Sequence, residues 1–227
     1  MFYSDYYTYM IPAIILMMAA QWYVKSSYNK WSKVRNQHNI TGAEAVQKLI
    51  RTGGLHGIEV ERIGGSLSDH YDPRKKVLRL SSGVADNPSV AALAIAAHEL
   101  GHAQQDQENY FPLRLRSAMV PMVNIGSFLG WIFIFAGLFF NMLNLSWLGV
   151  IFFAGGALFA LATLPVEFDA SSRAMRMLSN SGLIMSGNET RGARTVLNAA
   201  ALTYVAALVQ AVIQVLYYVR LVSGRRR

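Results

Sequence analysis

Ser117 to Val166 reads SAMVPMVNIGSFLGWIFIFAGLFFNMLNLSWLGVIFFAGGALFALATLPV, fifty residues without one Asp, Glu, Lys or Arg. About 20 apolar residues carry a helix through bilayer hydrocarbon, so the stretch is too long for one crossing and right for two joined by a short turn. Asn141 to Asn144 (NMLN) supplies that turn. Gly126 and Gly130 in the first half, and Gly155 and Gly156 in the second, permit close packing of the two helices. Of 227 residues, 53% are hydrophobic and 15% charged, against roughly 45–50% and about 25% in soluble domains. A simple soluble globule is excluded, as are collagen, a coiled coil and a disordered tail. There is no cysteine, which removes a disulfide framework, a thiolate zinc site and a cysteine nucleophile. Any metal must therefore sit on His, Asp or Glu.

Tyr6 to Val24 and Thr195 to Val219 are also free of the four charged types. The first is expected to be a retained anchor and not a cleaved signal peptide, since it lacks a basic leader and a small-residue cleavage site. In the last, Asn198, Gln210 and Gln214 would face a neighbouring helix. Lys25, Lys30, Lys33 and Arg35, then Arg114 and Arg116, then Arg173, Arg176, Arg191 and Arg194 all fall on one side of these spans. Basic flanks stay cytoplasmic, so the net charge of +8 reads as a topology signal. Anionic lipid headgroups are its expected electrostatic partner, and nucleic acid is not. Four full crossings would put Arg220, Arg225, Arg226 and Arg227 on the opposite side, which a shallow or re-entrant last helix would avoid.

Function is sought in what remains outside lipid, residues 25–116 and 167–194. Thr41-Gly-Ala-Glu44 resembles a capping box, followed by an amphipathic AVQKLIRTGG helix closed at Gly53-Gly54. IEVERIGG and, after a turn at Asp72-Pro73, KKVLRLSS alternate like strands. The second is either an edge strand able to take an extended peptide by strand addition or an ordinary sheet strand. Asn87-Pro88 caps a helix that runs through SVAALAIAA into His98-Glu99-Leu100-Gly101-His102, an H-E-x-x-H.

Four-residue spacing puts both imidazoles on one helix face, where they can share a zinc ion. Glu99 lies beside them, placed to take a proton from a metal-activated water and pass it to a leaving amine. A five-letter motif arises by chance in many helices, but two buried histidines and a glutamate without a metal would be costly to desolvate. A catalytic zinc needs a third ligand, and no histidine follows His102. His38, His56 and His70 are upstream alternatives. Asp106 continues the histidine row one turn too far to converge and suits a supporting role. Glu108 and Glu189 are read as loop residues. Glu167 follows Pro165 on a predicted helix, VEFDASSRAMRML, at the point where the hairpin of spans two and three returns to the face it left. Its alternative is an acidic residue favouring a helix N-terminus.

The run SDHYDPRKKVLRLSSGVADNPSVAALAIAAHELGHAQQ, then YFPLRLRSAMVPMVNIGS, then VEFDASSRA resembles the neutral zinc metallopeptidases of bacterial membranes, the YugP type. More distantly, HELGH followed by E-x-x-A is similar to the HtpX and CAAX prenyl protease class. That resemblance implies a gluzincin arrangement, with His98, His102 and Glu167 as ligands of Zn2+ and Glu99 as base. Those relatives carry Asp four residues after the third ligand, where this chain has Ser171. A hydroxyl can hydrogen-bond there but cannot stabilise an imidazolium by charge, so Asp169 or Asp106 is a candidate replacement. For the oxyanion the candidates are Arg173, His70 and Tyr71.

The expectation is a mostly helical α+β chain: an anchor (1–24), a zincin-like domain with a short sheet and the H-E-x-x-H helix (25–116), a transmembrane hairpin (117–166), a third-ligand segment (167–194) and a C-terminal membrane helix with a basic tail (195–227). Function would be zinc endopeptidase action on membrane or membrane-proximal polypeptides, at the cytoplasmic face of a bacterial plasma membrane. A non-catalytic zinc-binding scaffold or assembly factor is the rival. An intramembrane protease of the site-2 type is disfavoured, because the motif lies outside the charge-free spans. A transporter is disfavoured because no span contains an ionisable residue.

Overall fold

Among the described residues, 2–224 of the computed structural model, the elements run α1 (Phe2–Trp31), α2 (Gly42–Gly53), β1 (Glu59–Ile63), β2 (His70–Asp72), β3 (Val77–Ser81), α3 (Ser82–Ala85), α4 (Val90–Gln107), α5 (Phe111–Phe139), α6 (Leu143–Asn180) and α7 (Gly187–Ser223). The chain is mostly helical with one small sheet. α1, α5, α6 and α7 are each long and apolar enough to cross a membrane. The residues group into two units, one built from Trp22–Leu113 and Val166–Leu202, the other from the rest. The first is called the polar unit below and the second the apolar unit.

In the apolar unit, α5 ends at Phe139 and α6 starts at Leu143, with Asn141 between them at φ 57°. Asparagine tolerates that left-handed conformation better than most side chains. The close glycine contact differs from the expected one. A methyl on Gly149 would lie 2.7 Å from the carbonyl oxygen of Gly130, whereas Gly155 and Gly156 face open space. Ile134, Val150, Tyr218 and Val222 pack into a small core, while Met122, Ile125, Phe128, Phe139, Ile151 and Leu158 point outward. Large apolar side chains directed away from protein suit hydrocarbon surroundings. α7 is unbroken to Ser223, so it does not double back as a re-entrant segment would. Arg220 lies over the Tyr9 ring; Arg225, Arg226 and Arg227 fall outside the described residues.

The polar unit is organised around α4. Val90 to Ala94, Ala96, Ala97 and Leu100 are all fully buried, so this helix is apolar on nearly every side and occupies the centre. Its N-cap is Ser89, whose hydroxyl accepts from the Ala92 amide, two residues later than the Asn87-Pro88 start expected. α2 carries the anticipated capping box: Thr41 Oγ1 accepts from Glu44 N, and Glu44 Oε2 accepts from Thr41 N at 2.8 Å. Ala45, Val46 and Leu49 bury the inner face of α2.

The sheet has the order β1-β3-β2. β3 pairs parallel with β1 and antiparallel with β2, so the KKVLRLSS stretch is the central strand and presents no free edge. The Asp72-Pro73 turn joins β2 to β3. The parallel β1–β3 connection spans residues 64–76, enough chain for a crossover, and β2 lies within it. Asp69 ties the entry of β2 to the end of β3 by accepting from Ser81 N at 2.7 Å and from Ser81 Oγ. α6 runs straight through Pro165, so the third apolar span and the VEFDASSRAMRML helix are one element. Beyond Pro165 it buries Val166, Ala170, Ala174 and Leu178 in the polar unit.

Candidate metal centre

α4 and α6 meet backbone to backbone within the motif. A methyl on Gly101 would lie 2.6 Å from the carbonyl oxygen of Ala170, so the fourth residue of His98-Glu99-Leu100-Gly101-His102 must be glycine for the backbones to meet as they do. This contact brings Glu167, one turn earlier on α6, between the two imidazoles. His98 Nε2 is 3.3 Å and His102 Nε2 3.5 Å from Glu167 Oε2. One ligand atom from each of the three residues lies within 4.8 Å of the other two. Glu167 is 2% exposed, and a carboxylate so buried needs cationic or metal partners.

The outer ring nitrogens are held as well. Ser171 Oγ lies 3.2 Å from His98 Nδ1. His102 Nδ1 is 3.0 Å from Gln105 Oε1. Gln105 is fully buried, and its Nε2 donates to Val166 O and to Asp169 Oδ2, both at 2.8 Å. Both of those partners only accept, so the amide nitrogen must face them and the amide oxygen must face His102. When neutral, His102 then carries its proton on Nδ1 and turns the Nε2 lone pair toward Glu167. Asp169 is fixed in turn by Arg173, whose Nε donates to it at 2.5 Å and whose Nη1 donates to Glu108 Oε2 at 2.6 Å. Burial works against a charge on His102, but its hydrogen bond to Glu167 and the charges of Glu99 and Glu167 outweigh it and raise the pKa above the ordinary histidine value.

Glu99 is nearly buried, and its Oε2 accepts from the backbone N–H of Tyr71 on β2 at 3.0 Å. The Tyr71 hydroxyl donates to Asp106 Oδ2 at 3.0 Å. Tyr71 is thus pinned to α4 at two points two turns apart, and burial with the Asp106 carboxylate pushes its phenol pKa up. Asp106 serves Tyr71 and makes no described contact with the His-His-Glu group. His70 turns to Ser68 O and Arg79, and Arg173 is engaged by Asp169 and Glu108, so neither points its polar atoms at the group. His38 bonds Gly182 O instead, and His56, among the described residues, makes only a backbone bond, to Gln107. Glu189 is no loop residue: it lies 3% exposed at the start of α7 and accepts from Gln37, Met185 and Ser186.

Gln105 and Gly101 were not singled out by sequence. Gln105 stands three residues after His102, a spacing that places it on the same helix face.

Two imidazole nitrogens and a carboxylate oxygen converging at these separations are a donor set that zinc accepts. The chain belongs to the family described as "Putative neutral zinc metallopeptidase", whose model matches residues 6–223. It is similar to "Putative membrane protease YugP" of Bacillus subtilis (strain 168), 43% identical over 216 residues covering 95% of this chain and 96% of the relative. With its four apolar helices, that likeness makes it a membrane protein. A weaker similarity, 31% identity over 105 residues, covers 45% of the chain and 46% of "UDP-N-acetylglucosamine transferase subunit ALG14" from Mus musculus. No solved structure matches.

Proposed function

We propose that this protein is a zinc-dependent endopeptidase of the zincin type that cleaves membrane or membrane-proximal polypeptides. The observation that carries the reading is the convergence of His98, His102 and Glu167 beside Glu99, together with the family. His98, His102 and Glu167 would hold the ion. When bound, zinc supplies Lewis acidity that polarises a water and the scissile carbonyl.

The rest of the chemistry falls to the chain. Tyr71 N–H fixes one oxygen of Glu99, and Oε1 has no partner among the described residues, so it is placed to take a proton from the attacking water. The water oxygen bonds to the carbonyl carbon, Glu99 delivers the proton to the amide nitrogen, and the C–N bond breaks to give an acid and an amine. Ser171 and Gln105 keep the imidazoles turned inward throughout. Basic residues flanking the apolar helices favour a cytoplasmic site in a bacterial plasma membrane.

Glu99→Gln tests the reading against a non-catalytic zinc scaffold. The variant should keep about one zinc per chain and lose peptide hydrolysis by at least 100-fold. Hydrolysis at the native rate in that variant refutes the assignment.

A further inference from the structure

A cavity of about 510 Å³ lies between α6 and the start of α7 within the polar unit. On α6 its wall includes Phe168, Ser172 and Arg176, spaced four residues apart on one helix face. On α7 the wall includes Arg194, Asn198 and Ala201, again one face. Only residues 181–186 join the two helices, so they run antiparallel and the walls face each other as rungs. Counted outward from that turn, Phe168 falls level with Ala201, Ser172 with Asn198, and Arg176 with Arg194. The ladder passes from apolar through hydroxyl and amide to a pair of guanidiniums. At about 1.5 Å per residue it covers roughly 12 Å.

No Asp or Glu lines this cavity among the described residues. Arg176 and Arg194 have no hydrogen-bond or ion-pair partner among them either. The nearby acids are otherwise engaged, Glu108 by Arg173 and Glu189 by backbone amides. Two cations left facing one cavity call for an anion. The apolar rung sits at the end of the ladder next to Val166, where the charge-free run stops, and Leu202 beside it is exposed.

We propose that this cavity binds the phosphate headgroup of an anionic phospholipid. The phosphate lies between Arg176 and Arg194, the glycerol and ester oxygens meet Ser172 and Asn198, and the acyl chains leave past Phe168 and Ala201. A free phosphate ion would use the arginine rung alone, whereas a lipid uses all three.

The test uses the full-length protein in neutral detergent, titrated separately with short-chain phosphatidylglycerol, phosphatidylcholine of the same chain length and inorganic phosphate, with binding read by native mass spectrometry. Phosphatidylglycerol should bind one per chain and more tightly than either comparator. R176Q/R194Q should lose roughly 30-fold of that affinity, on the basis of about one factor of five per basic residue near a lipid surface. R74Q/K75Q, which removes the same charge from an exposed turn, should bind as the native protein does. Glutamine is a good helix former and both arginines are exposed, so the fold is retained. Equal binding of the two lipids, or undiminished lipid binding by R176Q/R194Q, overturns the proposal. Phosphate binding as tight as phosphatidylglycerol overturns it too, in favour of a soluble anion.

Discussion

Replacing Gln105 by Leu removes the side chain that ties the outer nitrogen of His102 to the helix bearing Glu167, while nearly conserving its volume. Three hydrogen bonds are lost: the one from His102 Nδ1 and those to Val166 O and Asp169 Oδ2. Asp169 keeps Arg173, so the unpaired group of consequence is the His102 Nδ1–H. Leaving a buried donor without a partner costs about 1–3 kcal/mol. The imidazole escapes that cost by moving its proton to Nε2, the atom turned toward Glu167, and metal binding must then reverse the move. Losing such an outer partner lowers metal affinity by about 10- to 100-fold, which is roughly 1.4–2.7 kcal/mol. The assay is competition for zinc with a chromophoric chelator on detergent-purified protein, alongside thermal unfolding of the metal-free form. A variant that melts like the native protein and binds zinc within twofold of it would show that Gln105 does not set the His102 tautomer.

Other expectations follow from the same contacts. Gly101→Ala puts a methyl 2.6 Å from Ala170 O; separating α4 from α6 should cost about 1–3 kcal/mol in stability and weaken zinc binding, whereas Gly155→Ala, which faces open space, should melt within a degree or two of native. The raised pKa of His102 means that its proton stabilises the metal-free fold fully below the ordinary histidine value of about 6.5 and ceases to do so as pH rises through the folded value. Zinc must displace that proton, so apparent zinc affinity should fall about tenfold per pH unit below the folded pKa, and a flat affinity profile between pH 5 and pH 8 would contradict this.

Much of this architecture could be read before any coordinates. Charge-free runs marked all four long helices because lipid is the one solvent that tolerates fifty uncharged residues in a row. The capping box at Thr41 announced α2, and the same pattern at Ser186-Gly-Asn-Glu189 would have announced α7, since Ser186 Oγ accepts from Glu189 N at 3.1 Å. β2 escaped notice because three residues cannot display a period of two. With β2 unseen, β3 looked like a possible edge. The charge-free run ends at Val166 and the VEFDASSRAMRML helix reads as a separate element beyond Pro165; the helix instead continues through Pro165, which a membrane-length helix tolerates better than a soluble one. The Gly130–Gly149 contact depends on the rotation of one helix against the other, which spacing within each helix does not encode. Gly101 belongs to the same class, as its meaning comes only from Ala170, 69 positions away.

The central claim is that α4 and α6 hold one zinc between His98, His102 and Glu167. Zinc K-edge absorption of the purified full-length protein, with metal content measured on the same sample, tests it most directly. One zinc per chain with two imidazole nitrogens and a carboxylate oxygen at about 2.0–2.2 Å is the expected result, and Glu167→Ala should lose the carboxylate contribution. A protein that takes up no zinc at saturation, or one whose zinc environment is unchanged in Glu167→Ala, would contradict the account.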